Sequence, residues 1–217
     1  MDLSIIIPSL RNGFFNQLMR SIEKHTKGIE YEVLENHEVG NLYRIISKEF
    51  TRAKGKYVFL TCDEAIVHEG WAANMISFLD KKPIMTMGNL SFITDDRGST
   101  RPMDIRYYDL ECSIHPFCKR EAIKGDFFDP RFNRFYGDID LSLRFWAAGG
   151  TVETCPTSCI TMFNNRDKIK RDALKDHLQP DEIEFKKKWD GYDFNLCSNS
   201  EKIRMFQTSL CHCPIPS

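Results

Sequence analysis

The first sixty residues alternate between short apolar runs and segments with apolar side chains at helical spacing. Residues 4–8 (SIIIP) and 57–60 (YVFL) are runs of branched and aromatic residues, typical of strands buried on both faces. Residues 31–34 (YEVL) predict a further short strand. Between these runs, residues 15–22 and 42–53 repeat apolar positions every three or four residues, which predicts two helices. We therefore predict three neighbouring parallel strands joined by right-handed helical crossovers.

The middle of the chain predicts a continuation of this sheet. A third helix begins at Gly70 and ends at residues 81–83, and a strand resumes at residues 84–87. Residues 89–111 have few periodic apolar positions, and residues 95–98 within them predict a hairpin or flexible turn. A weakly structured stretch of this length is typical of a functional or mobile segment.

The last third predicts a further helix, a sheet edge and a helical extension. The run YGDIDLSLRFWAAGG predicts a helix that is headed by acidic residues and ended by two glycines. Residues 151–155 and 158–163 predict edge strands on either side of Pro156, and the charged residues after 164 predict surface helices. The fold class is therefore α/β: a single domain with a mostly parallel sheet flanked by helices, a small antiparallel edge and a helical C-terminal extension.

Composition narrows the class of protein. Hydrophobic residues make up 41% and charged residues 28% of the 217 residues, as in ordinary globular proteins. The formal net charge of -1 excludes a global field for nucleic acid, so a polyanion site would need one of two local basic segments, residues 168–175 or 186–188. We predict residues 1–190 as the domain and residues 191–217 as a tail packed on it.

Targeting signals and cysteines point to an internal compartment. The first apolar run is too short to span a membrane and no basic region precedes it, so we predict a cytoplasmic protein without an integral membrane segment. The eight cysteines then predict free thiols. A zinc site remains an alternative, although the spacing matches no common zinc pattern; its ligands would be Cys155, Cys159, Cys211, His212 and Cys213.

Polar residues follow each of the three predicted parallel strands. Ser9 follows the first strand, Glu35 and Asn36 the second, and Asp63 and Glu64 the third. Ligands of open α/β sheets bind in the crevice beyond the carboxyl ends of the strands, so two acids there suit a metal ion or a phosphate ester. The alternative is that the two acids only form a polar loop.

Two further carboxylates head the predicted helix of the last third. A helix N-terminus stabilises the ionised form of Asp138 and Asp140. This placement suits a general base, and it equally suits a helix cap.

The order of these segments resembles family 2 glycosyltransferases with the GT-A, nucleotide-diphosphosugar transferase fold. The resemblance covers residues 3–189 and is carried by five landmarks: SIIIPSLRN, the strand that ends at Glu35 and Asn36, AKGKYVFLTCDEAIVHEGW, FFDPRFNRFYGDIDLSLRFWAAGG, and FKKKW. It implies a single-domain, Rossmann-like GT-A fold. It also implies transfer of a sugar, with inversion, from a nucleotide diphosphosugar such as a UDP-sugar to an acceptor hydroxyl.

The resemblance also implies roles for individual residues. Asp138 would accept the acceptor proton as the catalytic base, and Asp63 and Glu64 would hold Mn²⁺ or Mg²⁺. The residues implied in donor binding are Pro8, Ser9, Arg11, Glu35, Asn36 and Asp63, and Arg144 could also reach phosphate or acceptor.

Three positions depart from the family pattern. Cys62 replaces the first acid of the DxD motif, and a thiol is a poor ligand for hard cations. Gly137 replaces the first of the paired acids before the catalytic helix. The late histidine expected near residues 162–164 is absent, so Asn164 or His177 would have to replace it.

The sequence is also compatible with other functions. The acceptor could be a saccharide, a protein or a modified nucleobase, and no oligomeric state is indicated. A catalytically weak nucleotide-sugar-binding module is one alternative function. A nucleotidyltransferase is another, although no glycine-rich phosphate loop follows the first strand.

Overall fold

The computed structural model describes residues 1–9, 14–93, 100–101, 105–107, 109–162 and 168–190, with the backbone alone at residues 101 and 168–177. The strands are β1 (Leu3–Pro8), β2 (Tyr31–Asn36), β3 (Tyr57–Leu60), β4 (Ala65–Val67), β5 (Thr86–Ile93), β6 (Thr100–Arg101), β7 (Arg106–Tyr107), β8 (Leu110–Glu111), β9 (Phe117–Lys119) and β10 (Thr151–Met162). The helices are α1 (Phe15–His25), α2 (Leu42–Arg52), α3 (Trp71–Asp80), α4 (Gly137–Ala147) and α5 (Lys168–Trp189), with one 3₁₀ turn at Arg120–Ala122.

The main sheet has the strand order β2-β1-β3-β9-β5-β10-β4, with β6 paired to β5. Strand β1 pairs in parallel with both β2 and β3, and β5 pairs in parallel with β10. Strand β9 runs antiparallel to β3 and β5, and β4 runs antiparallel to β10. A second small sheet contains β7 and β8. The predicted α/β class, with a mostly parallel sheet and a small antiparallel edge, is confirmed.

Alternate residues of the central strands face two hydrophobic cores, one on each side of the sheet. On one side Ile6, Val58 and Leu60 pack with residues of α2, α4 and α5. On the other side Ile5 and Phe59 pack with residues of α1 and α3. Because both faces are covered, β1 and β3 need apolar side chains at nearly every position, which explains the continuous runs in the sequence.

The helices begin and end largely where the sequence predicts. Asn41 caps α2, and its side chain accepts a hydrogen bond from the Arg44 amide. Gly70 precedes α3 in the left-handed region at φ 73°, a conformation that costs glycine little. The predicted helical extension after residue 164 is confirmed as α5. The prediction that it lies on the surface is wrong, because Phe185 and Trp189 of α5 are buried in the core. None of the helices within the described residues is long and apolar enough to cross a membrane.

Two predictions about the sheet are wrong. The strand expected at residues 84–87 is β5, which extends to Ile93 because its polar residue Ser91 is buried and donates a hydrogen bond to the Cys155 carbonyl. The edge strands expected around Pro156 are one strand, β10, which lies between β5 and β4 in the sheet order. The chain passes Pro156 through a shift in register between Cys155 and Cys159.

Some predictions lie outside the described residues. These are the turn at residues 95–98, the side chains of residues 168–175, and the tail 191–217 with its three zinc-ligand candidates. The five cysteines in the described part of the chain are free thiols, as predicted.

Candidate active site

The carboxyl ends of β1, β2 and β3 meet at one edge of the sheet. Because β1 is paired with both neighbours, Ser9 follows β1 within reach of the segments after β2 and β3. Its hydroxyl donates to Asp63 Oδ2 over 2.8 Å, and its amide donates to the Asn36 carbonyl over 2.9 Å. The predicted convergence of the three loops is confirmed. We call this edge, formed by residues 8–9, 35–37 and 61–64, the crevice.

His37 joins two of these loops. One ring nitrogen, Nδ1, lies 2.6 Å from the Ser9 carbonyl, and Nε2 lies 3.2 Å from Glu35 Oε2. The ring also meets Phe15 edge-on, with 6.1 Å between centroids. The imidazole therefore fixes Glu35 beside the end of β1, at the place where the sequence predicts a donor-binding acid.

Asn36 has a structural role in the folded chain. Its amide nitrogen donates to Glu49 Oε1 over 2.7 Å, and its amide oxygen accepts the Glu38 N–H over 2.8 Å. Glu49 is buried and also binds Arg52. The Asn36 side chain thus ties β2 to α2, and contact with a donor remains a prediction.

Asp63 and Glu64 differ in exposure. Asp63 is buried and Glu64 is half-buried, at the turn that follows Cys62. Both carboxylates are hard oxygen ligands of the kind that Mn²⁺ and Mg²⁺ prefer, whereas the Cys62 thiol is not. Within the described residues no three His, Cys, Asp or Glu side chains are grouped as a metal site. The oxygen chemistry of Asp63 and Glu64 suits a hard divalent cation, and a metal site at these two residues stays a prediction.

Asp138 lies in the first turn of α4 and is half-buried. Burial raises the pKa of its carboxyl above the ordinary value, against the lowering effect of the Ile139 N–H, which donates to Oδ1 over 3.0 Å. A carboxylate with a raised pKa accepts a proton more readily. This is the property required of a general base.

Tyr43 of α2 packs against the start of α4. Its hydroxyl accepts the Gly137 N–H over 3.0 Å and donates to the Arg134 carbonyl over 2.9 Å. A Cβ atom on Gly137 would lie 2.4 Å from Cζ of the Tyr43 ring. The departure from paired acids therefore has a physical reason, because a side chain at residue 137 would collide with Tyr43.

Asp140 is fully buried in an ion cluster rather than placed in the crevice. Lys188 Nζ lies 2.7 Å from Asp140 Oδ1, Trp189 Nε1 donates to the same oxygen over 2.9 Å, and Arg144 Nε lies 3.2 Å from Oδ2. The Arg144 guanidinium also donates to the carbonyls of residues 126 and 127. The Arg144 guanidinium therefore makes these contacts within the domain.

Three predicted residues cannot be placed in the site. Arg11 and Asn164 lie outside the described residues, and the side chain of His177 is not described. Pro8 ends β1, paired opposite Asn36, and is half-buried at the crevice.

Sequence reasoning missed three residues near the site. Tyr43 lies on an apolar helix face, where a tyrosine gives no signal. Asp181 lies within a charged helix, and its carboxylate accepts hydrogen bonds from the loop before α4. His115 is buried beside the start of β9, and neither ring nitrogen has a hydrogen bond of normal geometry. Burial lowers its pKa to about 4.

No protein-family model matches the chain, and no curated protein matches it. Among solved structures, the chain is similar to one described as the crystal structure of GalNAc-T7 with UDP, GalNAc and Mn²⁺, with a TM-score of 0.59 and 14% identity. The match covers 100% of this chain and 58% of that one, so this chain spans less than two thirds of its length.

The similarity is one of fold. The mixed sheet with helices on both faces is GT-A-like, as the sequence predicts. At 14% identity the match does not extend to family 2 in particular, which stays a prediction.

Proposed function

We propose that this protein is a glycosyltransferase that moves a sugar from a nucleotide diphosphosugar to an acceptor hydroxyl with inversion. The GT-A-like fold and its similarity to a protein crystallised with UDP support a UDP-sugar as the donor. The observation that carries the proposal is the position of two sets of carboxylates relative to the parallel strands. Asp63 lies in the crevice segment after β3. Asp138 directly follows Gly137, whose N–H donates to the hydroxyl of Tyr43 in α2, the helix that follows β2.

The crevice supplies the donor side of the reaction. Ser9, Glu35 and Asp63 are the groups that would contact the nucleoside and diphosphate, with Pro8 shaping the base pocket. Asp63 and Glu64 would hold Mn²⁺ or Mg²⁺, which when bound neutralises charge on the diphosphate as it leaves. The Ser9 hydroxyl donates to Asp63 and so keeps one carboxylate oxygen in place.

Asp138 supplies the acceptor side. The acceptor oxygen forms a bond to the anomeric carbon on the face opposite the diphosphate, its proton passes to the Asp138 carboxylate, and the bond to the diphosphate oxygen breaks. The nucleoside diphosphate departs with the electron pair. The raised pKa of Asp138 favours this proton transfer, because its carboxylate is a stronger base than an exposed aspartate.

The test is transfer from a panel of nucleotide sugars by the wild-type protein and by Asp138→Asn. We expect wild-type turnover with release of a nucleoside diphosphate, a product of inverted anomeric configuration by NMR, and a loss of at least about 100-fold in kcat for the variant. Donor binding measured by calorimetry should stay unchanged. Asp126→Asn, at an exposed aspartate, is the matched control. Absence of binding to every donor would refute the proposal.

A nucleotide-sugar-binding module without efficient catalysis is the second candidate, and Cys62 in the DxD position favours it. In that case donor binds and Asp138→Asn changes no measurable turnover. Release of pyrophosphate would instead indicate a nucleotidyltransferase. The acceptor (saccharide, protein or modified nucleobase) and the cytoplasmic location remain predictions.

A further inference from the structure

The loop before Asp138 is held through its backbone by one side chain of α5. The Asp181 carboxylate accepts three backbone N–H groups, from Asn133 over 2.9 Å and from Arg134 and Phe135 over 2.8 Å each. Asp181 is 2% exposed, so these bonds replace water as the solvation of a buried charge. The carboxylate thus fixes three consecutive peptide units of the loop.

The carbonyl groups of the same loop are bound from the opposite side by the first turn of α2. The Leu42 amide donates to the Asn133 carbonyl over 3.0 Å, and the Tyr43 hydroxyl donates to the Arg134 carbonyl over 2.9 Å. The loop is therefore held between α2 and α5, with N–H groups toward Asp181 and carbonyls toward α2.

The backbone of the next residue, Tyr136, is strained. Tyr136 has φ 64°, and it is the only non-glycine residue with positive φ in the described part of the chain. Such a conformation costs on the order of 1 kcal/mol or more and persists only where its surroundings impose it. Here the Tyr136 ring stacks on Phe185 of α5, with 4.9 Å between centroids. Gly137 and Asp138 follow directly.

We propose that Asp181 is a positioning residue for Asp138: by fixing residues 133–135 it forces the turn at Tyr136 and sets the place of the Asp138 carboxylate in α4. The inference rests on the proposed function only for the role of Asp138 as a base. The contacts that position it are hydrogen bonds within the chain itself.

The surroundings of Asp138 explain how a change at Asp181 would be detected. The titratable groups that face Asp138 are the Tyr43 hydroxyl of α2 and the Cys112 thiol after β8. Burial raises the pKa of Tyr43 well above its ordinary value and that of Cys112 to about 12, so both are neutral near pH 7. Because no opposite charge among the described residues contributes to its raised pKa, the Asp138 carboxyl should respond mainly to its own burial. A looser loop would hydrate it and lower its pKa.

The experiment compares wild type, Asp181→Asn and Asp181→Ser by ¹³C NMR titration of the aspartate carboxyl carbons, with the Asp138 signal assigned from Asp138→Asn. Asparagine directs an amide NH₂ at backbone donors, and serine keeps one acceptor oxygen in a smaller side chain. Glu182→Gln is the control, because this neighbour on α5 pairs with the exposed Lys186. UDP binding by calorimetry reports on the crevice in each variant.

We expect the Asp138 pKa to fall toward its ordinary value in both Asp181 variants and to stay unchanged in Glu182→Gln, with UDP affinity within about twofold of wild type throughout. Where turnover is measured, kcat should fall at least tenfold while KM for the donor holds. An unchanged Asp138 pKa in a variant that keeps the wild-type circular dichroism spectrum would overturn the inference, whether or not the protein binds UDP. Loss of UDP binding in both variants would also overturn it, since Asp181 would then support the whole fold. The titration needs no substrate, so a wild-type protein without transferase activity would refute the proposed function alone.

Discussion

Lys188 Nζ lies 2.7 Å from Asp140 Oδ1, with 5% of the Lys188 side chain and none of the Asp140 side chain exposed to solvent. The same ammonium lies 2.7 Å from Asp129 Oδ2. One lysine from the last turn of α5 therefore compensates two carboxylates of the domain, Asp129 in the loop before α4 and Asp140 in α4. The helix after residue 164 is in this respect a part of the core and not an addition to its surface.

Replacing Lys188 with methionine should destabilise the protein strongly. The substitution keeps most of the side-chain volume but leaves Asp140 and Asp129 without their shared cation, and breaking a buried pair from one side costs about 3 kcal/mol or more. The measurement is the free energy of unfolding in urea. Lys186→Met is the control, since Lys186 is exposed and its solvent-screened pair with Glu182 should contribute little to stability. Equal losses in the two variants would contradict a buried role for Lys188.

The central strands of the fold could be predicted because a short run of neighbouring residues is enough to indicate each of them. Strand β3 matches the predicted residues 57–60, since a strand covered on both faces must be apolar at each position. The sequence predicts β5 too short because Asn89 and Ser91 are polar yet buried, and each has a hydrogen bond with a residue distant in sequence. A pattern of apolar residues cannot contain that information.

The residues of the candidate site also fall into those that the sequence predicts and those that it does not. Ser9 and Asp63 were predictable because each directly follows a strand, and parallel pairing brings the ends together. Tyr43 and Asp181 were not, because each acts on residues about 50 to 90 positions away in the chain through backbone contacts. Side chains that bind a backbone leave no motif in the partner segment.

Gly137→Ala should destabilise α4 at its first turn. The added methyl group would lie 2.4 Å from Cζ and 2.6 Å from Cε2 of Tyr43, whose ring is fixed by hydrogen bonds at its hydroxyl. Overpacking of this kind costs about 1–3 kcal/mol. Thermal and urea unfolding measure the loss.

The double variant Gly137→Ala with Tyr43→Leu tests the cause. A leucine side chain is shorter than tyrosine, so the alanine should cost at least about 1 kcal/mol less in that background than in the wild type. If the two losses simply add, the collision with Tyr43 is not the reason that residue 137 is a glycine.

His115 should make stability fall at mildly acidic pH. Its pKa is about 4 in the folded protein because burial disfavours the charged imidazolium, against an ordinary value of 6.5 in the unfolded chain. The unfolded state therefore binds the proton more readily, so this contribution to stability is complete above pH 6.5 and is lost as the pH falls toward 4. A difference of this size corresponds to about 3 kcal/mol.

Replacing His115 with leucine isolates this contribution from that of the carboxylates. The free energy of unfolding in urea should fall less steeply for His115→Leu than for wild type between pH 7 and pH 4. At pH 7 the two should differ little, because removing a buried group without hydrogen bonds offsets the altered packing. His25→Gln, at the end of α1, serves as the control and should follow the wild-type curve. Parallel curves for His115→Leu and wild type would contradict the depressed pKa.

Asp63→Asn should weaken nucleotide binding only when a divalent cation is present. The amide keeps the shape of the side chain and can still accept the Ser9 hydroxyl bond, but it lacks the charge that holds Mn²⁺ beside a diphosphate. Calorimetry with UDP in Mn²⁺ should give an affinity at least tenfold below wild type, a change of about 1.4 kcal/mol. In EDTA the variant should bind UDP slightly more tightly than wild type, because a carboxylate next to a diphosphate is repulsive without the cation.

Cys62→Asp extends the same argument. This change adds a third hard oxygen ligand, beside Asp63 and Glu64, at the DxD position in a side chain that is half-buried. It should increase the affinity for UDP in Mn²⁺ and decrease it in EDTA, the reverse of Asp63→Asn in both conditions. Cys62→Ser, which removes the thiol without adding a charge, is the matched control and should lie near wild type in both. If Asp63→Asn binds UDP as tightly as wild type in Mn²⁺, and Cys62→Asp gains nothing from Mn²⁺, then Asp63 holds no cation and the crevice binds its donor without one.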